Sequence, residues 1–214
     1  MVIRATCDIP ADTELTHWYT VPTGDRDKMK DSLAHWGFEC TCLICEDTKT
    51  VVKKLSKKKK DLMQDIKHSF SNKDALDFAK IERQLRAYEA TYKKSPTAIP
   101  KLAVVSIYIE VAGALGKAGQ FEKSIAMALR GLACFGLVTK GAELPSTDSN
   151  GFQVEKWGVA HDDGLQAWFC LCRAYKQCAP HLLGKVEEYA KLMYMMCVGE
   201  DVNFGETYER KMGL

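Results

Sequence analysis

From residue 51 onward the apolar positions recur at helical spacing. Val52, Leu55, Leu62, Ile66 and Phe70 fall on one stripe, interrupted by Lys57 to Lys60, and predict an amphipathic helix. Phe78, Ile81, Leu85, Tyr88 and Tyr92 follow at steps of 3, 4, 3 and 4, the spacing of a packing seam. Asn72 is the expected N-cap of that helix, and Ser95, Pro96 and Pro100 punctuate its end. Residues 102–117 and 121–135, with Gly119 between them, predict an antiparallel helix pair joined by a tight turn. Gly136, Gly141, Pro145, Ser146, Asn150 and Gly151 then make residues 137–163 a long loop by composition, of the kind that is functional or mobile. Two further helical patterns, at 164–177 and 182–198, are separated by Ala179 and Pro180.

The first part of the chain reads differently. Residues 2–7 are β-branched with weak alternation and predict a strand. Asp8-Ile9-Pro10-Ala11-Asp12 is turn chemistry, and residues 14–19 form a second short extended segment. A polar helix over 25–35 carries Met29 and Leu33 on one face, and Gly37 ends it as a left-handed C-terminal glycine. The chain as a whole is thus expected to be mostly α. Residues 1–47 form a small β-containing piece and residues 48–214 a larger helical one.

Composition narrows the classes. At 46% hydrophobic and 27% charged residues with a net charge of +2, nothing points to wholesale nucleic-acid or membrane binding. The longest apolar stretch, 102–116, is interrupted by Ser106 and Glu110 and is too short to span a bilayer. Residues 1–7 lack the apolar run of a signal peptide. The immediate opening in a strand suggests truncation. Residues 49–67 hold eight lysines and two aspartates without interleaved aromatic residues. They read as a solvated helix face, and a nucleic-acid partner is not expected. The nine cysteines are odd in number, and several lie inside apolar helical patterns. That fits a reducing compartment, cytosol or nucleus, better than a disulfide framework.

The densest candidate chemistry is Trp36-Gly-Phe38-Glu-Cys40-Thr-Cys42-Leu-Ile-Cys45. Three thiols at C-x-C-x-x-C spacing suit a tetrahedral metal better than a disulfide, yet a closed structural zinc site takes four ligands. A metal on Cys40, Cys42 and Cys45 would hold Trp36 and Phe38 as a rigid stacking wall. Tyr19, at the end of the second extended segment, offers a hydroxyl able to orient an amine. Cys170, Cys172 and Cys178 lie on a helical pattern and are expected to be core thiols. Met193, Met195 and Met196 read as core filler. His161, Asp162 and Asp163 read as a helix N-terminus.

Residues 5–19, Ala5-Thr6-Cys7-Asp8-Ile9-Pro10-Ala11-Asp12-Thr13-Glu14-Leu15-Thr16-His17-Trp18-Tyr19, resemble the carboxyl-terminal block of a SET domain. That block is a strand, an Asp-Ile turn, a Gly-Glu-Glu-Leu-Thr run and a tyrosine; this chain departs from it at Asp12 and Thr13. The cysteine trio resembles the post-SET segment that follows. The likeness is closest to the SET and MYND class of lysine methyltransferases and to fungal SET proteins with TPR-like helices. It implies that Tyr19 is the catalytic tyrosine. It also implies that Phe38 packs on the adenine of S-adenosylmethionine, that Trp36 neighbours the lysine channel, and that Cys40, Cys42 and Cys45 hold structural zinc. The sequence contains neither the family's Gly-x-Gly strand nor its Asn-His-x-Cys segment, whose cysteine commonly completes the zinc site; Cys7 is a weak substitute. The 214-residue chain alone is therefore expected to be inactive, with S-adenosylmethionine belonging to a full-length family protein.

Residues 108–128 resemble one TPR unit, in which Leu115 and Gly116 permit close helix approach, Phe121 plugs the pair, and Ala126 and Ala128 let helices stack. A fainter second unit runs through Trp168, Leu171, Ala174, Tyr175, Tyr189 and Ala190. The helical part is expected to meet a protein substrate or protein partner. The alternative reading is a non-catalytic, zinc-containing helical interaction module.

Overall fold

The computed structural model describes residues 9–13, 19–20, 26–51, 53–71, 76–145 and 151–213. The fold is mostly α, and contacts divide it into two compact units, one of Tyr19–Ser95 and one of Met1–Trp18 with Pro96–Leu214.

The first unit begins with α1 (Arg26–Leu33), which buries Met29 and Leu33. A 3₁₀ turn, Ala34–Trp36, takes up the end of the helix expected over 25–35, as helix termini commonly do. Gly37 ends it at φ 71°. A short helix not anticipated from the sequence, α2 (Leu43–Lys49), follows the cysteines. Next come α3 (Lys53–Ser71) and α4 (Phe78–Glu89). They meet through Ile66, Ile81 and Leu85, all fully buried, and Ser69 Oγ lies 3.1 Å from Gln84 Oε1 across the pair. Leu55, Leu62 and Phe70 are only half-buried, while Lys54, Lys57, Lys58 and Lys60 are exposed, so α3 is a solvated helix with a narrow apolar seam. Asp77 caps α4 by accepting from Lys80 N at 2.9 Å; Asn72 lies outside the described residues. Tyr92 falls beyond the end of α4 but keeps the seam by meeting Tyr88 edge-on at 5.7 Å.

The second unit is built on α5 (Val105–Lys117) and α6 (Phe121–Cys134), the expected helix pair. Gly119, at φ 72°, turns the chain, and Gln120 N donates to Leu115 O at 2.9 Å. Close approach is set by Gly131, where a Cβ would stand 3.3 Å from Tyr108 Cβ. Ser124 Oγ donates to Ala112 O across the pair at 2.7 Å. Ala128 is buried in this interface, but Ala126 is exposed, because it lies on the outer face of α6.

Helix α7 (Asp162–Cys178) is the centre of the unit. It packs against α5, α6, α8 (Leu183–Val198) and α9 (Phe204–Met212), so it is apolar around most of its circumference. That explains why Cys170 and Cys172, two residues apart, are both buried. Cys178 departs from the expected core role. It sits exposed at the last turn, its Sγ donating to Ala174 O at 3.2 Å. His161 and both aspartates do form the helix start, with His161 Nδ1 accepting from Asp163 N at 3.1 Å. Met193 is buried, whereas Met195 and Met196 are half-buried.

The segment expected as one long loop instead contains an antiparallel hairpin, β1 (Val138–Lys140) and β2 (Gln153–Lys156). No other sheet occurs among the described residues. The strand expected at 2–7 lies outside them, as do all of 14–18. The hairpin is held by side chains far away in sequence. Phe152 is fully buried between Trp168, Tyr175 and Tyr189, and the Tyr175 hydroxyl donates to Ala142 O. Helix α9 was also not anticipated: it has no buried residue and docks by Phe204 on Tyr194 at 5.5 Å and by the Tyr208 hydroxyl on Glu187. No helix among the described residues is long and apolar enough to cross a membrane.

Gly158 has φ 66°, and a Cβ there would overlap Phe135 O, the carbonyl that accepts from Val159 N at 2.9 Å. Gly158→Ala is expected to destabilise the second unit by about 2–3 kcal/mol. Gly184→Ala, in open space within α8, is expected to stabilise it by about 0.5–1 kcal/mol. Urea titrations followed by tryptophan fluorescence compare the two.

Candidate metal centre and aromatic wall

The cysteine site is made by a local reversal of the chain. Gly37 adopts the left-handed conformation after the 3₁₀ turn, and the chain then runs through Cys40 to Cys42. Cys42 is the N-cap of α2, at φ −63° and ψ 159°, and Cys45 stands one turn later, so i and i+3 share a face. The three Sγ atoms all lie within 4.8 Å of one another. Tetrahedral zinc, with Zn–S bonds of about 2.3 Å, sets sulfurs about 3.8 Å apart. Small side-chain rotations would close that difference, so the donor set fits a metal. Among the described residues no fourth donor joins the group, and Cys7 lies outside them.

The three thiols have different environments. Cys45 is 8% exposed and packs on Met29 and Leu33, with Cys40 against the same cluster. Burial, together with the neighbouring Cys40 and Cys42, pushes the Cys45 thiol up to about 12. Cys42 is exposed. Partial burial opposes its ionisation, but the backbone N–H groups of Cys45 and Ile44 and the thiols of Cys40 and Cys45 outweigh that and hold it below its ordinary value. A cation is what would ionise all three together. Outside the cluster, Lys49 Nζ reaches Glu39 at 3.3 Å and Glu46 at 2.7 Å, tying the segment before the cysteines to α2. Lys49 was not singled out from the sequence; its i, i+3 relation to Glu46 was the available signal.

Immediately before the cysteines the aromatic residues come together. Tyr19 lies 4.9 Å from Trp36 and 5.2 Å from Phe38 between ring centroids, inclined at 57° and 63°. His35 adds a ring 4.9 Å from Trp36. Tyr19, Trp36 and Phe38 are 49%, 51% and 43% exposed, which makes a contiguous aromatic surface rather than a core. Tyr19 is 17 positions from Trp36 in the chain, so no local periodicity joins them.

Comparison with known proteins adds one relative. The chain is 32% identical over 211 residues to a Gibberella zeae protein named "Methyltransferase". The match takes in 96% of this chain and 29% of that protein, so the chain spans less than a third of its relative's length. No family model matches the chain, and no solved structure matches it.

The geometry predicts that the protein binds one equivalent of a thiophilic divalent metal. Cobalt titration should develop a thiolate-to-metal absorption band that zinc displaces. Cys45→Ser should abolish the band, while Cys178→Ser should leave it. Equal alkylation of Cys40, Cys42 and Cys45 with and without zinc would contradict the site.

Proposed function

We infer that these 214 residues form the carboxyl-terminal part of a SET-domain, protein-lysine-methyltransferase-like protein of the SET and MYND class, with zinc on the cysteine trio and TPR-like helices behind it. The observation that carries this reading is the meeting of Tyr19 with Trp36 and Phe38 directly ahead of three clustered thiols. The name of the Gibberella zeae relative, aligned over 96% of the chain, supports methyl transfer as the chemistry.

In this reading S-adenosylmethionine, when bound, supplies an electrophilic sulfonium methyl to a neutral lysine amine. Transfer needs in-line approach, so the task of the protein is placement. Tyr19 offers a hydroxyl that accepts from the amine and fixes its lone pair. Trp36 lines the path of the lysine methylenes, and Phe38 gives an apolar face for the adenine. Cys40, two residues from Phe38, would hold a metal with Cys42 and Cys45 and so fix the Phe38 ring. The residues present thus fit one wall of such a site. They contain no Gly-x-Gly strand and no Asn-His-x-Cys segment, so by themselves they form no cofactor cradle and transfer no methyl group.

The test uses labelled S-adenosylmethionine and lysine-containing protein substrates. The zinc-loaded 214-residue chain should transfer no label. A chimera carrying it in place of the aligned segment of the Gibberella zeae protein should be active, and Tyr19→Phe should slow that chimera by about 100-fold. Robust transfer by the chain alone, or an active chimera indifferent to Tyr19→Phe, would contradict the reading.

A further inference from the structure

The three clustered thiols differ in access and in spacing. Cys42 is exposed, Cys40 is half-buried, and Cys45 is buried. Cys42 already belongs to the first turn of α2, because its carbonyl accepts from Glu46 N at 2.9 Å. Helix geometry, with a radius of about 2.3 Å and a rise of about 1.5 Å per residue, then sets the Cα atoms of Cys42 and Cys45 about 5 Å apart. That lies inside the range of about 4.4–6.8 Å that a disulfide spans. The two sulfurs are already within 4.8 Å of each other. Rotation about the Cα–Cβ bonds, with a small adjustment at the extended ψ of Cys42, brings them to bonding distance.

Cys40 is less well placed to close a bond. Thr41 alone separates it from Cys42, and the chain there is not helical, so this pair lacks the one-turn spacing that puts two side chains on one face. Cys40 packs beside Cys45 against Met29 and Leu33, on the sheltered side of the cluster. Access and spacing thus single out one pair. Cys42 stands where a reagent in solution meets it first, and Cys45 stands behind it, shielded from that reagent and within reach of the Cys42 sulfur.

We propose that Cys42 and Cys45 form a dithiol–disulfide couple, Cys42 the attacking and Cys45 the resolving sulfur, oxidised by a low-molecular-weight disulfide of the glutathione class. The Cys42 thiolate attacks one sulfur of oxidised glutathione. A Cys42–glutathione bond forms, the glutathione disulfide breaks, and one glutathione thiolate leaves. The Cys45 sulfur, its proton passed to solvent, then attacks the Cys42 sulfur. The Cys42–Cys45 bond forms and the second glutathione thiolate leaves. The two departing thiolates take up the two protons that the cysteines lose, so the protein is oxidised by two electrons and glutathione is reduced by two. A metal on the trio would need both sulfurs as thiolates, so metal and disulfide exclude each other. That exclusion rests on the metal reading of the trio, whereas the couple rests on the spacing of its own sulfurs. The disulfide lies within α2 and spares its first turn, but it leaves Cys40 with no shared ion. Redox state thereby sets whether the segment carrying Phe38 is tied to α2 through a metal.

The test equilibrates the whole metal-free chain in glutathione redox buffers, quenches it by alkylation, and reads the mass of tryptic peptide 31–49, which holds Cys40, Cys42 and Cys45 and no other cysteine. The peptide should lose two hydrogens with little glutathione adduct. Its oxidised-to-reduced ratio should follow oxidised glutathione over the square of reduced glutathione. Cys40→Ser should behave as the parent. Cys45→Ala, which keeps an apolar group on Met29 and Leu33, should stop at a glutathione adduct on Cys42 with an unchanged helical spectrum. Cys42→Ser should slow oxidation of the peptide tenfold or more. Closure of a disulfide in Cys45→Ala, loss of closure in Cys40→Ser, or a parent chain that stops at the glutathione adduct would overturn the proposal. Zinc loading should slow closure tenfold or more, with one zinc passed to a chromogenic chelator per disulfide formed. Closure at an unchanged rate with zinc would reject the metal on this trio and leave the couple in place.

Discussion

The first unit depends on a conflict between burial and charge at one sulfur. Cys45 is seated on Met29 and Leu33, where its thiolate is disfavoured, while Cys42 on the rim is held toward ionisation by backbone N–H groups. Helices α1 and α2 have eight and seven residues, too short to persist on their own in water, and they share a core of few side chains. A metal on the trio would resolve the conflict. It would ionise the buried thiol, join the segment after Gly37 to α2, and add binding free energy to a pair of short helices that bury few side chains. The rigidity of Phe38, and through it of the aromatic surface with Tyr19 and Trp36, would follow from that bond.

The second unit is stabilised differently. Helix α7 is surrounded by neighbours, and its aromatic residues reach the hairpin through Phe152 and the helix behind it through Tyr189. Burial dominates this packing, with side-chain hydrogen bonds such as Tyr175 to Ala142 O and Ser124 to Ala112 O fixing its geometry.

How much of this was legible in the sequence depended on the range of the determining contacts. Met29, Leu33, Gly37 and the cysteine spacing act within a few residues, and the structure places them as the local pattern implies. The α5–α6 pair was equally readable, because a 3.6-residue period and one left-handed glycine define it. The hairpin was not: its strands are three and four residues long, and its order comes from Phe152 entering a core made by α7 and α8. Ala126 is exposed, against expectation, because a small residue on a helix says nothing about which face it occupies. Helix α9 escaped because it buries no residue of its own. The approach of Tyr19 to Trp36 and Phe38 was suggested by family resemblance and not by spacing.

The central claim is that a metal on Cys40, Cys42 and Cys45 organises the aromatic surface. The most direct test is nuclear Overhauser contact between the Tyr19 ring and the rings of Trp36 and Phe38, with zinc bound and after chelation. The contacts should be present with zinc and vanish on its removal, while the amide resonances of α5 to α8 stay in place. Persistence of the same ring contacts in the chelated protein would contradict the account.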